Sequence, residues 1–165
     1  MSEDEFIEVF GGIYEHSSWV ARDTWRRGAQ GRPDSVESLA AELAATVDAA
    51  DRDTRLALIR AHPDLAGRAA VSGGLTAASS REQAGAGIDQ CSEEEYRRFQ
   101  SLNQAYRDRF GFPFVMAVKG GNRAAILSAF EERVDNDPET EFHRAIAEIH
   151  KIAGFRLAEL AEPGS

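Results

Sequence analysis

Apolar residues recur every three to four positions along most of this chain, and the strict alternation that marks a half-buried strand is nearly absent. In "DSVESLAAELAATVDAA" the residues Val36, Leu39, Ala40, Leu43 and Val47 fall on one helical face, with Asp34 and Ser35 as candidate N-caps. "DRDTRLALIRA" carries Leu56 and Ile59 and stops at Pro63, because the residue before a proline is pushed out of the α region. That residue is His62. "SEEEYRRFQSLNQAYRDRF" opens with a capping-box pattern at Ser92 and Glu95, then sets Tyr96, Phe99, Leu102, Tyr106 and Phe110 at helical spacing. "NRAAILSAFEERVDN" and "DPETEFHRAIAEIHKIAGFRLAEL" predict two closing helices, the second started by Asp137 with Pro138 at its first position. The pattern predicts an all-α, single-domain helical bundle over residues 1–165.

Two stretches break this rhythm. Between Pro63 and Gln90 glycine, alanine and serine dominate and large apolar residues are few, although two short helical pieces fit inside. A segment of that length with so little core-forming material is usually functional or disordered. "GFPFVMAVKGG" is apolar and bounded by glycines, yet it has no obvious pairing partner, so it reads as a buried extended connector or a short helix.

Composition narrows the function classes. A chain of 165 residues with 42% hydrophobic content can bury one sizeable core. A net charge of -9, with no basic patch interleaved with aromatics, argues against nucleic acid as a partner. The lone Cys91 cannot form an internal disulfide and lacks metal-ligand spacing, which fits a reducing compartment such as the cytoplasm. The acidic N-terminus lacks the layout of a signal peptide, and no apolar run approaches the roughly 18 residues a membrane span needs. A soluble cytoplasmic protein without membrane contact is expected. No HExxH, CxxC or close His/Asp cluster occurs, so no metal is expected either.

A few residues could carry chemistry. His62 is held by Pro63 at a helix end and titrates near neutrality, which suits an acid or base; the plain alternative is a helix stop with a surface histidine. "SSREQAG" sets Ser79 three residues before Glu82, the arrangement of a helix N-terminus with a capping box, where free N–H groups welcome an anion. Capping does not account for Gln83, whose amide can donate and accept at once. Arg156 lies fourteen residues after Phe142 and seven after Ile149, which returns it close to the apolar stripe of the last helix. A guanidinium there needs either an acid partner or an anionic ligand. His143 and His150 fall beside or off that stripe and are expected in solvent. Trp19 and Trp25 read as core or interface residues, and Glu15 and His16 as part of a pocket wall.

The segments "YEHSSWV", "LIRAHPDLAG", "LTAASSREQAGAG", "LNQAYRDRFGFPFVMAVKG" and "EIHKIAGFRL" span nearly the whole chain. In this order and spacing they resemble the 2-oxo-4-hydroxy-4-carboxy-5-ureidoimidazoline (OHCU) decarboxylases of uric acid degradation. The resemblance implies an all-helical homodimer that uses no metal or organic cofactor and converts the small molecule OHCU to (S)-allantoin and carbon dioxide. It implies His62 as proton donor, with Glu82 and Arg156 completing the catalytic set and Pro63 lining the site. It further implies that Ser79, Ser80, Arg81, Glu82 and Gln83 contact the substrate. The backbone of Phe114, Val115, Met116, Ala117 and Val118, in the region of the "FPFV" motif, is implied to hydrogen-bond the ring amides. Arg156 is the arginine of the closing "RL" signature. The chain carries no peroxisomal "SKL" ending, in keeping with a cytosolic enzyme that acts free-standing on a substrate made elsewhere. Two other readings of the residues are a helical binding module docking through the His62 to Gln90 region, and a ureide hydrolase using His62 and Glu82 on water. Neither accounts for all five segments.

Overall fold

The computed structural model describes residues 2–29, 35–65, 76–88 and 91–161. Among these residues there are eight α-helices and no strand: α1 (Glu3–Phe10), α2 (Trp19–Thr24), α3 (Val36–Asp48), α4 (Arg52–Arg60), α5 (Ala77–Gly85), α6 (Glu93–Phe110), α7 (Arg123–Arg133) and α8 (Pro138–Ala161). The chain continues past α2 through Trp25–Ala29, where Gly28 leaves the helical conformation at φ +115° and kinks the backbone. The all-α expectation holds. No described helix is long and apolar enough to cross a membrane. Asp34, one of the two predicted caps, and residues 66–75 and 89–90 of the glycine-rich segment lie outside the described residues.

The helices start where the sequence supplies caps. Ser35, Asp51 and Asn122 each accept a backbone N–H three residues on, and Ser92 forms a full capping box with Glu95. Asp137 accepts from the Thr140 N–H at 3.0 Å and so starts α8 with Pro138 at its first position. Gly111 ends α6 in the left-handed conformation at φ +77°, which glycine adopts without a Cβ penalty.

The start of α5 differs from expectation. Ser79 was expected to cap it, but Thr76 does so, accepting from the Ser79 N–H at 3.2 Å. The earlier cap adds a hydrogen-bonded turn, with the Ser80 N–H on the Thr76 carbonyl at 2.9 Å. Ser79 and Gln83 then lie one helical turn apart inside α5, and both are buried. Glu82 is consequently a mid-helix residue and not the far half of a capping box.

The chain forms two compact units: Met1–Ala61 with Ile149–Ser165, and His62–Glu148. In the first, α1, α2 and α3 pack around Phe6, Val20, Leu43 and Val47. There the Thr24 and Thr46 hydroxyls meet at 2.7 Å while each also reaches its own helix. Trp25, half-buried, packs against the core ring of Phe6, centroids 5.3 Å apart. The second unit is built on an aromatic cluster. Phe114 stacks on Phe130 at 3.9 Å between centroids, and Tyr106 meets both rings edge-on.

Candidate active site

His62 belongs to a short turn that follows α4. Only 6% of its surface is exposed, so the ring is a buried group and not the surface histidine of the plainer reading. The residues after it are held from two helices of the second unit. Asn103 on α6 donates its amide to the Leu65 carbonyl at 3.0 Å. Arg107, one turn further along α6, grips both Asp64 carboxylate oxygens with its guanidinium at 2.9 to 3.2 Å. Gln83 of α5 reaches the Asp64 carbonyl in a long hydrogen bond of 3.4 Å.

The "SSREQ" run therefore divides by helix face. Ser79 and Gln83 are buried, Glu82 is half-buried, and Ser80 and Arg81 are exposed. Of these side chains Gln83 reaches the turn that carries the His62 imidazole, with an amide able to donate and accept hydrogen bonds at once.

Phe114 to Val118 lies in the non-helical connector between α6 and α7, and no strand occurs among the described residues to pair with it. Arg133 donates to the Val115 carbonyl at 2.8 Å and lies over the face of Phe114, 4.4 Å from its centroid. The same guanidinium pairs with Glu141 at 2.9 Å. Glu141 also accepts from the Tyr106 hydroxyl and from the Asn136 amide. Burial pushes the Glu141 carboxyl up, but the hydrogen bonds from Arg133, Tyr106 and Asn136 outweigh it and hold the group below its ordinary value. Burial and its bond to Glu141 push the Tyr106 hydroxyl well up, so it acts as a donor. Glu148, also buried, accepts the Ala117 N–H at 3.1 Å. Val115 and Ala117 thus give one backbone group each to the protein, whereas the Met116 N–H and C=O have no hydrogen-bond partner among the described residues.

Arg156 lies in the first unit. It finds an acid partner there: Nη2 reaches Glu15 at 2.8 Å, with both side chains buried, and Nη1 lies 3.4 Å from the Ile13 carbonyl. His16, next to Glu15, adopts φ +49° and projects an exposed ring. His150 corrects the expectation of a solvated side chain. Its Nδ1 lies 2.8 Å from the Tyr14 hydroxyl and its Nε2 3.0 Å from Asp48; it stands four residues after Ile146 and three before Ala153, both buried, which sets it at the edge of the apolar stripe. His143 is exposed as expected. Among the described residues no group of three or more His, Cys, Asp and Glu side chains is arranged to hold a metal ion.

Asn103, Arg107, Arg133, Glu141 and Glu148 were missed as framing residues. For four of them the signal was a polar or charged position inside an apolar stripe, as with Arg156: Asn103 stands four residues after Phe99, Arg133 three after Phe130, and Glu141 and Glu148 flank the buried Ala145 at helical spacing, whereas the exposed Arg107 gave no such signal.

Residues 1–158 match the family model described as OHCU decarboxylase. A 2-oxo-4-hydroxy-4-carboxy-5-ureidoimidazoline decarboxylase of Haloferax volcanii is 48% identical over 160 residues, covering 96% of this chain and 90% of that protein. A uric acid degradation bifunctional protein of Bacillus subtilis is 42% identical over 161 residues, which are 97% of this chain and 31% of that protein. Among solved structures, the crystal structure of an (S)-allantoin synthase superposes with a TM-score of 0.80 at 34% identity. The match covers 98% of this chain and 51% of that one, so this chain spans about half its length.

Proposed function

Because the chain belongs to the OHCU decarboxylase family, we propose that it decarboxylates OHCU to (S)-allantoin without a metal or organic cofactor, His62 delivering the proton. One observation carries this reading. His62 is a buried imidazole in a turn to which Gln83 of the "SSREQ" helix is hydrogen-bonded, so an acid–base group and a polar recognition face share one neighbourhood.

The substrate can accept its own electrons. When the bond between the ring carbon and its carboxylate breaks, the electron pair moves into the adjacent imine, and carbon dioxide leaves. The imine nitrogen, left with that pair, takes a proton; the ureido-bearing carbon of the resulting enol then takes another, which generates the stereocentre, while the hydroxyl releases its proton and its carbon becomes a carbonyl. The protein must hold the carboxylate out of conjugation, place donors against the developing charge and deliver the proton to one face.

His62 supplies that proton, with Pro63 lining the site. Glu82 orients the substrate or the imidazole. Ser79, Ser80, Arg81 and Gln83 contact the ureido-imidazoline. The Phe114 to Val118 backbone holds the ring amides, and the unpaired Met116 groups suit that use. Arg156 enters through the closing "RL" signature as a source of positive charge toward the substrate's anionic side. Cytoplasmic location and a homodimer complete the proposal, the latter checked by sedimentation.

Freshly generated OHCU, followed by its absorbance with product chirality read by circular dichroism, tests the assignment. His62→Ala should lower kcat by about 10²–10⁴-fold, the usual contribution of a positioned acid or base. An unchanged rate of (S)-allantoin formation would remove His62 from the chemistry.

A further inference from the structure

We propose that Asn103 and Arg107 of α6 are positioning residues for His62, and this rests on the reading of His62 as proton donor. A histidine followed by proline leaves its helix in a turn whose carbonyls no helix pairs, so the turn needs other partners. The structure supplies them two and three residues beyond the ring. Arg107 grips the Asp64 carboxylate in a fork at 2.9 to 3.2 Å, and Asn103 holds the buried Leu65 carbonyl at 3.0 Å.

Asn103 and Arg107 stand four residues apart, so both project from the same side of α6 toward one turn. That helix is itself anchored in the core through Phe99 and Tyr106, which have no exposed surface. Pro63 fixes its own φ, so few free dihedrals separate the held residue Asp64 from the His62 Cα. The two contacts connect a helix anchored in the core to the residues next to the imidazole.

Asn103 carries a second signal. Its Oδ1 is buried without a hydrogen-bond partner. A buried acceptor left unpaired is unfavourable, so asparagine suits this position for its donor, which the Leu65 carbonyl uses. Arg107 is half exposed, so its fork adds little to folding and its effect falls on the geometry of the turn.

The test compares OHCU turnover by wild type, Asn103→Ala, Arg107→Ala, Arg107→Lys and Asp64→Ala/Arg107→Ala. A misplacement on the order of 1 Å at a reacting group lowers rates by roughly 100-fold. We expect kcat to fall about 10–100-fold in both alanine variants with KM within about 3-fold, and Arg107→Lys to recover part of the loss. Adding Asp64→Ala to Arg107→Ala should change kcat by less than about 2-fold, because the two act as one unit. A substrate-free readout separates this inference from the reading it rests on: the ring ¹⁵N resonances of His62 should move in Arg107→Ala. If wild type fails to consume OHCU, the functional reading fails while these resonances still judge the positioning. Arg107→Ala with kcat within about 3-fold of wild type, or with unmoved His62 resonances, overturns the proposal. Arg107 is exposed enough for its variants to fold, so the Arg107 set decides the matter even if Asn103→Ala does not.

Discussion

Leu65, in the turn after His62, and Val115, in the connector after α6, each present a backbone carbonyl that no helix pairs, yet partners of different kinds hold them. The Leu65 carbonyl accepts from a neutral amide, and its neighbour Asp64 pairs with the half-exposed Arg107. The Val115 carbonyl accepts from Arg133, whose guanidinium is 4% exposed and whose carboxylate partner Glu141 is fully enclosed. A charge that water can reach is stabilised with or without its partner, so that contact can loosen at little expense in free energy. A buried charge has no such refuge. The connector is consequently tied to the stability of its unit, while the turn is tied to it only weakly and remains free to be tuned for geometry.

The sharpest way to break this contrast is to remove one half of the buried pair. Glu141→Ala leaves Arg133 uncompensated and should destabilise the protein by about 3–5 kcal/mol, read from the urea unfolding midpoint. Arg133→Met with Glu141→Leu should recover much of that loss, because apolar residues of similar volume can replace a buried pair. A loss below about 1 kcal/mol in Glu141→Ala would mean the connector is held no more firmly than the turn.

The same carboxylate sets an acid limit. Its folded value lies below the ordinary one, so its stabilisation is complete above the unfolded value and disappears as pH falls through the folded one. The urea midpoint of wild type should therefore drop below about pH 4, and Glu141→Gln should flatten that drop. The residual slope belongs to the cap carboxylates Asp51, Glu95 and Asp137, which local hydrogen bonds also hold low.

Helix positions were legible because caps and apolar spacing are local: Ser92 with Glu95, and Asp137 with Pro138, fix their helix starts from neighbouring residues alone. The start of α5 was not, because Thr76 and Ser79 are both competent caps, and the inward turn of Ser79 and Gln83 decides between them. His62 was legible as a candidate through its proline. What holds it was not, since Asn103 is 38 positions from Leu65 and Arg107 is 43 from Asp64. Arg156 shows the intermediate case. Its stripe position announced that it needed a partner, but only folding selected Glu15, 141 positions away, among many carboxylates.

Glu148 offers a smaller effect on the connector side. Glu148→Ala would leave the part-buried Ala117 N–H without its acceptor and should destabilise by about 1–3 kcal/mol. Glu148→Gln keeps an acceptor oxygen and should retain most of that stability in the same urea series. Equal losses in the two variants would shift the explanation to the charge pair with Arg144, which lies 3.2 Å away.

The smallest expected change lies on the turn side and bears most directly on the contrast. Arg107→Ala removes a fork whose two side chains are 46% and 24% exposed, so both charges keep water when separated. The urea midpoint should shift by no more than about 0–1 kcal/mol, and less again at high salt, where exposed pairs are screened. If the shift instead approaches that of Glu141→Ala, the turn is part of the stability core. Its contacts from α6 would then hold the fold together, and any loss of kcat in Arg107→Ala would follow from partial unfolding and not from a displaced imidazole.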